Sequence, residues 1–394
     1  MLQRIKDLSE SVFPYVRDCY RHLHANPELS FQEYQTSEFV QKELTAMQIP
    51  FRAGIADTGI LGIIKGKNPA KRVIALRADM DALPIQEAVD IPWKSKNDGV
   101  MHACGHDVHT SCLLGAAKIL NQLKNEFEGT ILLIFQPGEE KAPGGANLML
   151  KDGIFDEYTP EIIIGQHVAE DYPAGTIALL EGTVMASADE IYLTIKGNGG
   201  HGAKPHLCND TVLAASEVLV SLQQVRSRLC DPLTPMVLTF GRFIADGAPN
   251  VIPNEVKLSG TFRTYDEKWR IEAKEHIRRI AVETAAAYGC TVEIEMPDGF
   301  PNVINDPKLT KEIRGFVNEF LGEDKVLDFE QRMTGEDFGF FSHLFPSCFY
   351  RLGVQGDRVS GNLHSPTFCI EEKSLVTGAG GMAWIAIRCL EKNE

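Results

Sequence analysis

Three shortages narrow what this chain can be. No run of apolar residues is long enough to cross a bilayer, so no membrane span is expected. The nine cysteines are scattered singly, without paired spacing, which excludes a disulfide framework. Cys19, Cys112, Cys230, Cys290, Cys348, Cys369 and Cys389 are expected to be reduced, mostly buried thiols. Positive charge is scarce: Lys and Arg total 39 against 54 Asp and Glu, a formal net charge of -15. Such a chain repels phosphate backbones and anionic lipid, so neither nucleic acid nor a membrane surface is an expected partner. The segment Met1–Leu8 is charged and amphipathic where a signal peptide has an apolar centre, which predicts the cytoplasm. Internal repeats and low-complexity segments are also missing.

What is present is the composition of a globular protein, 44% hydrophobic and 24% charged over 394 residues, a length that suggests two domains. Helical spacing runs through residues 1–48 and is interrupted at Asn26-Pro27-Glu28. Near-continuous apolar runs follow at Val73–Leu76, Ile131–Phe135 and Ile162–Gly165, the texture of strands covered on both faces. A helical stretch over about Thr110–Leu123 lies between the first two, so a right-handed crossover and a largely parallel sheet are expected. From about Ala186 the texture becomes alternating, with the order β-α-β-β-α-β of a ferredoxin-like domain. After Asp298 the α/β pattern resumes. The expected organisation is an α/β catalytic domain with a largely parallel sheet (1–185 and 299–394) and an inserted ferredoxin-like α+β lid and dimerisation domain (186–298).

Polar residues follow each apolar run, where ligands bind in open α/β sheets. The densest group is Met101-His102-Ala103-Cys104-Gly105-His106-Asp107-Val108-His109. Cys104 as thiolate and His106 as neutral imidazole suit a metal-ligand loop, with Asp107 and His109 as neighbours. Glu139-Glu140 fits either a solvated acidic loop or a division of labour, one carboxylate on metal and the other a general base. His167 could be a satisfied core residue or a ligand, and His364 is equally open. Asp79 suits a turn or helix cap, or a carboxylate that orients a metal site. His201 lies in the glycine-rich segment Gly197–Gly202, either a flexible hairpin tip or a close approach to a ligand. Arg263 suits a clamp for a substrate carboxylate or an ordinary surface position. His22 and His24 are expected to be structural or on the surface.

Taken in order, the segments His22–Ser30, Arg77–Pro84, His102–Asp107, Gln136–Glu140, Gly165–His167, Gly200–Ala203, Asn250–Pro253, Gly335–Phe338 and His364–Pro366 resemble the di-metal aminoacylase and carboxypeptidase family nearly end to end. Within it, Cys104-Gly105-His106 is similar to the amidohydrolase branch that includes hippurate and auxin-conjugate hydrolases. The resemblance implies metal ligands Cys104, His106, Glu140, His167 and His364, with Glu139 as general base and Asp79 as orienting carboxylate. It also implies that His201 and Asn250 are lid residues reaching a dimer partner's site, and that Arg263 engages substrate. Glutamine at 166 and glycine at 138 depart mildly from the family pattern. Five ligands suit two divalent ions sharing a bridge, for which Cys104 is the candidate. Sulfur favours zinc or cobalt, with manganese and nickel as further candidates. The expected function is hydrolysis of the amide of N-acyl amino acids by a homodimer. A dipeptidase or carboxypeptidase with the same site is the alternative, and a non-catalytic binding relative is disfavoured by Glu139.

Overall fold

The structure, a computed structural model, describes residues 1–356 and 361–391. They form two compact units. One comprises residues 1–184, 303–331, 337–356 and 361–391; the other comprises 185–302 and 332–336. The second unit thus begins one residue before the boundary expected from the alternating pattern and continues four residues past Asp298. It also takes back a short later segment at 332–336 that carries no strand or helix signal of its own.

The larger unit is built on an eight-stranded sheet in the order Phe51–Ile55, Gly59–Lys65, Thr130–Gln136, Val73–Asp79, Ile162–Pro173, Ser347–Gln355, Ile177–Leu179, Val326–Asp328. The four central strands, 130–136, 73–79, 162–173 and 347–355, are mutually parallel. Strands 51–55 and 59–65 extend one side antiparallel. Strand 130–136 is buried at every position, as its unbroken apolar sequence requires. Helices His106–Gln122 and Ser374–Glu391 pack on strand 73–79, and helix Leu2–Ala25 packs against both. The C-terminal helix is buried along almost its whole length; its Trp384 indole donates to the Phe316 carbonyl at 2.8 Å. No helix among the described residues is long and apolar enough to cross a membrane.

The smaller unit has the strand–helix–strand–strand–helix–strand order Asp189–Lys196, Thr211–Leu222, Met236–Ala245, Glu255–Thr264, Glu267–Ala287, Thr291–Glu295. The four strands form one antiparallel sheet in the order 236–245, 255–264, 189–196, 291–295, a ferredoxin-like arrangement. Asp189–Lys196 alternates buried and more exposed residues, so its inward set (Ile191, Leu193, Ile195) joins the core with Ala214, Val218, Ile277 and Ala281. Asp189 is buried and held by Arg270 at 2.6 and 2.8 Å and by Lys274 at 2.6 Å.

Leu133, fully buried and paired with Leu76 and Gly62, represents the central strands. Leu133→Ala is expected to lower unfolding stability by about 2–5 kcal/mol. Urea unfolding should show this as a lower midpoint with little change in slope.

Candidate metal centre

The carboxyl ends of the parallel strands deliver the polar groups of the larger unit. Asp79 is the last residue of its strand and Glu139-Glu140 lie just beyond strand 130–136. His167 lies inside strand 162–173, which runs on to Pro173 past the apolar run that marks its start in sequence. Cys104 and His106 sit at the entry to helix 106–122, which begins four residues earlier than the apolar spacing predicts. Gly105 makes the turn: its φ is +82°, and a Cβ there would lie 2.5 Å from Val168 Cγ2. Glycine therefore lets the Cys104–His106 turn press onto the strand that carries His167. His364 adopts a left-handed φ of +62°, and its N–H donates to the Ala103 carbonyl at 2.8 Å.

Two of the candidate donor sets that result share one sulfur. Cys104, His106 and His167 form one set; Cys104, Glu140 and His364 form the other, all ligand atoms within each lying less than 4.8 Å apart. Cys104 Sγ is 3.5 Å from His167 Nε2 and 3.3 Å from His364 Nε2. His364 Nε2 is 3.1 Å from Glu140 Oε1. Glu139 Oε2 and Glu140 Oε1 each lie 3.9 Å from His106 Nε2.

Hydrogen bonds fix how the imidazoles face this cluster. His106 Nδ1 meets Asp81 Oδ1 at 3.1 Å, and His167 Nδ1 donates to the Val168 carbonyl at 2.7 Å. Each ring thereby directs Nε2 inward, the orientation that a neutral imidazole ligand needs. His109 differs. Its Nδ1 donates to Asp79 Oδ1 at 2.6 Å and its Nε2 accepts the Val168 N–H at 2.8 Å. Both nitrogens are used, so His109 has no lone pair to offer an ion, although it lies close to His106 and Asp79.

The remaining atoms fit a cation. His106 Nε2 is buried without a hydrogen-bond partner, a costly state for a polar atom unless something else is bound there. Burial and then Glu140, Glu139 and Asp79 push the Cys104 thiol well above its usual range. Burial alone would depress His106, but Asp79, Asp81 and Glu140 outweigh it and raise it to about 10. Both directions say that the pocket calls for positive charge. A divalent ion would answer that and displace the thiol proton. Sulfur, imidazole and carboxylate together form a zinc-type donor set.

The carboxylate that orients a cluster imidazole is Asp81. Besides His106, it accepts from Ser30 Oγ at 2.6 Å and from the Glu139 and Glu140 amides at 3.1 and 3.0 Å. Asp79, the residue expected in that role, is instead held by Arg77 Nη1 at 2.6 Å and His109, and stands 3.7 Å from His106 Nε2. Asp81, two residues further on and past the strand's end, takes the contact with His106 Nδ1. Behind the cluster, His24 is buried between Asp107 Oδ2 at 2.7 Å and Glu87 Oε1 at 3.2 Å, so it belongs to the support of the site.

In the smaller unit, His201 and Asn250 lie on neighbouring segments. His201 pairs with Val251, and Gly202 N donates to Asn250 O at 2.8 Å. His201 is exposed, and its Nδ1 accepts the Ala203 N–H at 3.1 Å, which leaves Nε2 as the donor. Arg263, on strand 255–264, is partly buried with Nη1 donating to the Met333 carbonyl at 3.3 Å.

The model of peptidase family M20/M25/M40 matches residues 75–387. The chain belongs to this family. The M20 chain is 36% identical to the N-acetyl-L-cysteine deacetylase of Bacillus subtilis, across 95% of its own length and 88% of that protein. It is 35% identical to thermostable carboxypeptidase 2 of Saccharolobus solfataricus over the whole of both chains. Among solved structures it is similar to the YXEP protein of Bacillus subtilis, described as a dinuclear metal binding peptidase of the M20 family. That TM-score is 0.84 at 35% identity, covering 98% of this chain and 100% of the other. As an M20 member the chain is a metal-dependent hydrolase of amide bonds.

His24 supplies a pH test of the M20 chain's buried support. Burial by itself depresses the imidazole, but Asp107 and Glu87 overturn this and raise it to about 9. A raised folded value means stabilisation that is complete below the unfolded value near 6.5 and lost as pH climbs through about 9. Denaturant titrations should show wild-type stability declining across that window, and the decline should be shallower in His24→Leu. An equal slope in both proteins would show that His24 carries no buried charge.

Proposed function

We propose that the chain hydrolyses the amide of N-acyl amino acids, with Glu139 as the proton carrier beside two divalent cations. The observation that carries this reading is the pair of donor sets sharing Cys104 Sγ, with a second carboxylate, Glu139, beside them. His106 and His167 would hold one ion, Glu140 and His364 the other, and Cys104 both. Zinc or cobalt suits the sulfur best, with manganese and nickel as further candidates. Bound divalent ions act as Lewis acids, acidifying water and polarising a carbonyl.

The chain's own groups do the rest. Glu139 takes a proton from water as the water oxygen attacks the carbonyl carbon. It then gives that proton to the amine nitrogen as the C–N bond breaks, leaving a carboxylic acid and a free amino acid. Asp81 keeps His106 in one tautomer and holds the Glu139 backbone amide. His201, with its proton on Nε2, is suited to donate to the developing oxyanion. Arg263 is suited to a substrate carboxylate. We place His201, Asn250 and Arg263 in a lid that works within a homodimer.

A second reading keeps the same chemistry on dipeptides or C-terminal residues. The similarity to a carboxypeptidase over the whole chain favours it. A panel of N-acetyl and N-benzoyl amino acids and dipeptides, run on metal-stripped protein reloaded with single ions, separates the two. Faster turnover of the N-acyl substrates is expected, and exclusive cleavage of dipeptides would overturn the first reading. Glu139→Gln is expected to lower kcat by about 10²–10⁴, and His201→Ala by about 10²–10³, each with metal content unchanged. Full turnover in His201→Ala would remove it from the chemistry.

A further inference from the structure

We infer that Glu33, in the turn before helix Tyr34–Ala46, is a positioning residue for the general base, acting through the amide of Gly138. The inference rests on the reading of Glu139 as proton carrier. Three consecutive amides of the Gly138-Glu139-Glu140 turn end on two buried carboxylates. Gly138 N–H donates to Glu33 Oε1 at 2.8 Å, and the Glu139 and Glu140 N–H groups donate to the two oxygens of Asp81. Glu33 is completely buried. Its Oε1 also accepts the Phe31 N–H at 2.8 Å, and its Oε2 accepts the Thr58 hydroxyl at 2.8 Å.

Phe31 locks the same contact from the side. It adopts φ +65°, and Gly138 adopts φ +57°. A Cβ on Gly138 would lie 2.2 Å from Phe31 Cε1, so the aromatic ring occupies the space that glycine leaves. This explains glycine at 138: the residue is shaped to residues 31–33. Burial and Asp81 push the Glu33 carboxyl up to about 7. The neutral and the charged form both accept from Gly138, and glutamine reproduces the neutral one.

A catalytic group displaced by about 1 Å loses about 10²-fold in rate. Glu33→Ala should therefore lower kcat by about 10–100-fold, with KM and bound-metal content unchanged. Glu33→Gln should recover most of that loss. Hydrogen exchange measured by mass spectrometry should show faster exchange of the 138–140 amides in Glu33→Ala and wild-type protection in Glu33→Gln. Gly138→Ala should give the same kcat-only loss, relieved in part by adding Phe31→Ala; it carries the test if Glu33→Ala does not fold. Unchanged kcat in Glu33→Ala overturns the inference. So does a glutamine variant as poor as alanine, or a loss that follows metal content. If the wild type turns over no amide, the functional reading fails, and the exchange data still decide whether Glu33 holds the turn.

Discussion

Asp81 is a buried carboxylate whose charge is met by four donors from three separate parts of the chain: Ser30 Oγ, His106 and the amides of Glu139 and Glu140. A buried carboxylate that loses such partners is strongly destabilising. The end of strand 73–79, the start of helix 106–122 and the Glu139-Glu140 turn are therefore fixed relative to one another. The tautomer of His106 and the location of Glu139, the proposed base, follow from that constraint.

Around it, electrostatics sort the titratable groups into two kinds. Arg77, Asp79 and His109 neutralise one another by direct contact, fully buried. Cys104, His106, Glu139 and Glu140 are left with more negative than positive charge, and His106 Nε2 is buried with no hydrogen bond to satisfy it. The first kind is a support that can remain as it is. The second is a cage that needs cations, opening to solvent on the side of the half-exposed His364.

Much of this was legible in the residues themselves. Val73–Leu76 and Ile131–Phe135 read as doubly covered strands because a central parallel strand has no solvent face to mark by alternation. The segments that supply the candidate donor atoms were legible because cysteine, histidine and paired glutamates have no packing reason to adjoin apolar runs. Strands 51–55 and 59–65 were not: the first is a five-residue edge strand with mostly exposed side chains, and the second, paired on both sides, is an apolar run divided by Gly59 and Gly62. The start of helix 106–122 was hidden because its first turn buries polar side chains toward the site, which inverts the apolar spacing that marks a helix. Asp81 carries no signal that separates it from Asp79, because spacing cannot tell which of two carboxylates faces a particular imidazole. Glu33 and His24 were hidden for a related reason: their partners lie about a hundred and about eighty residues away. No local pattern announces them.

The sulfur shared by both donor sets is the centre of the account, and cobalt reports on it directly. Protein loaded with cobalt should show a sulfur-to-cobalt charge-transfer absorption that disappears in Cys104→Ser. If two cobalt ions bind without that absorption, or if it survives in Cys104→Ser, the thiolate does not join the two sets and the cage described here is wrong.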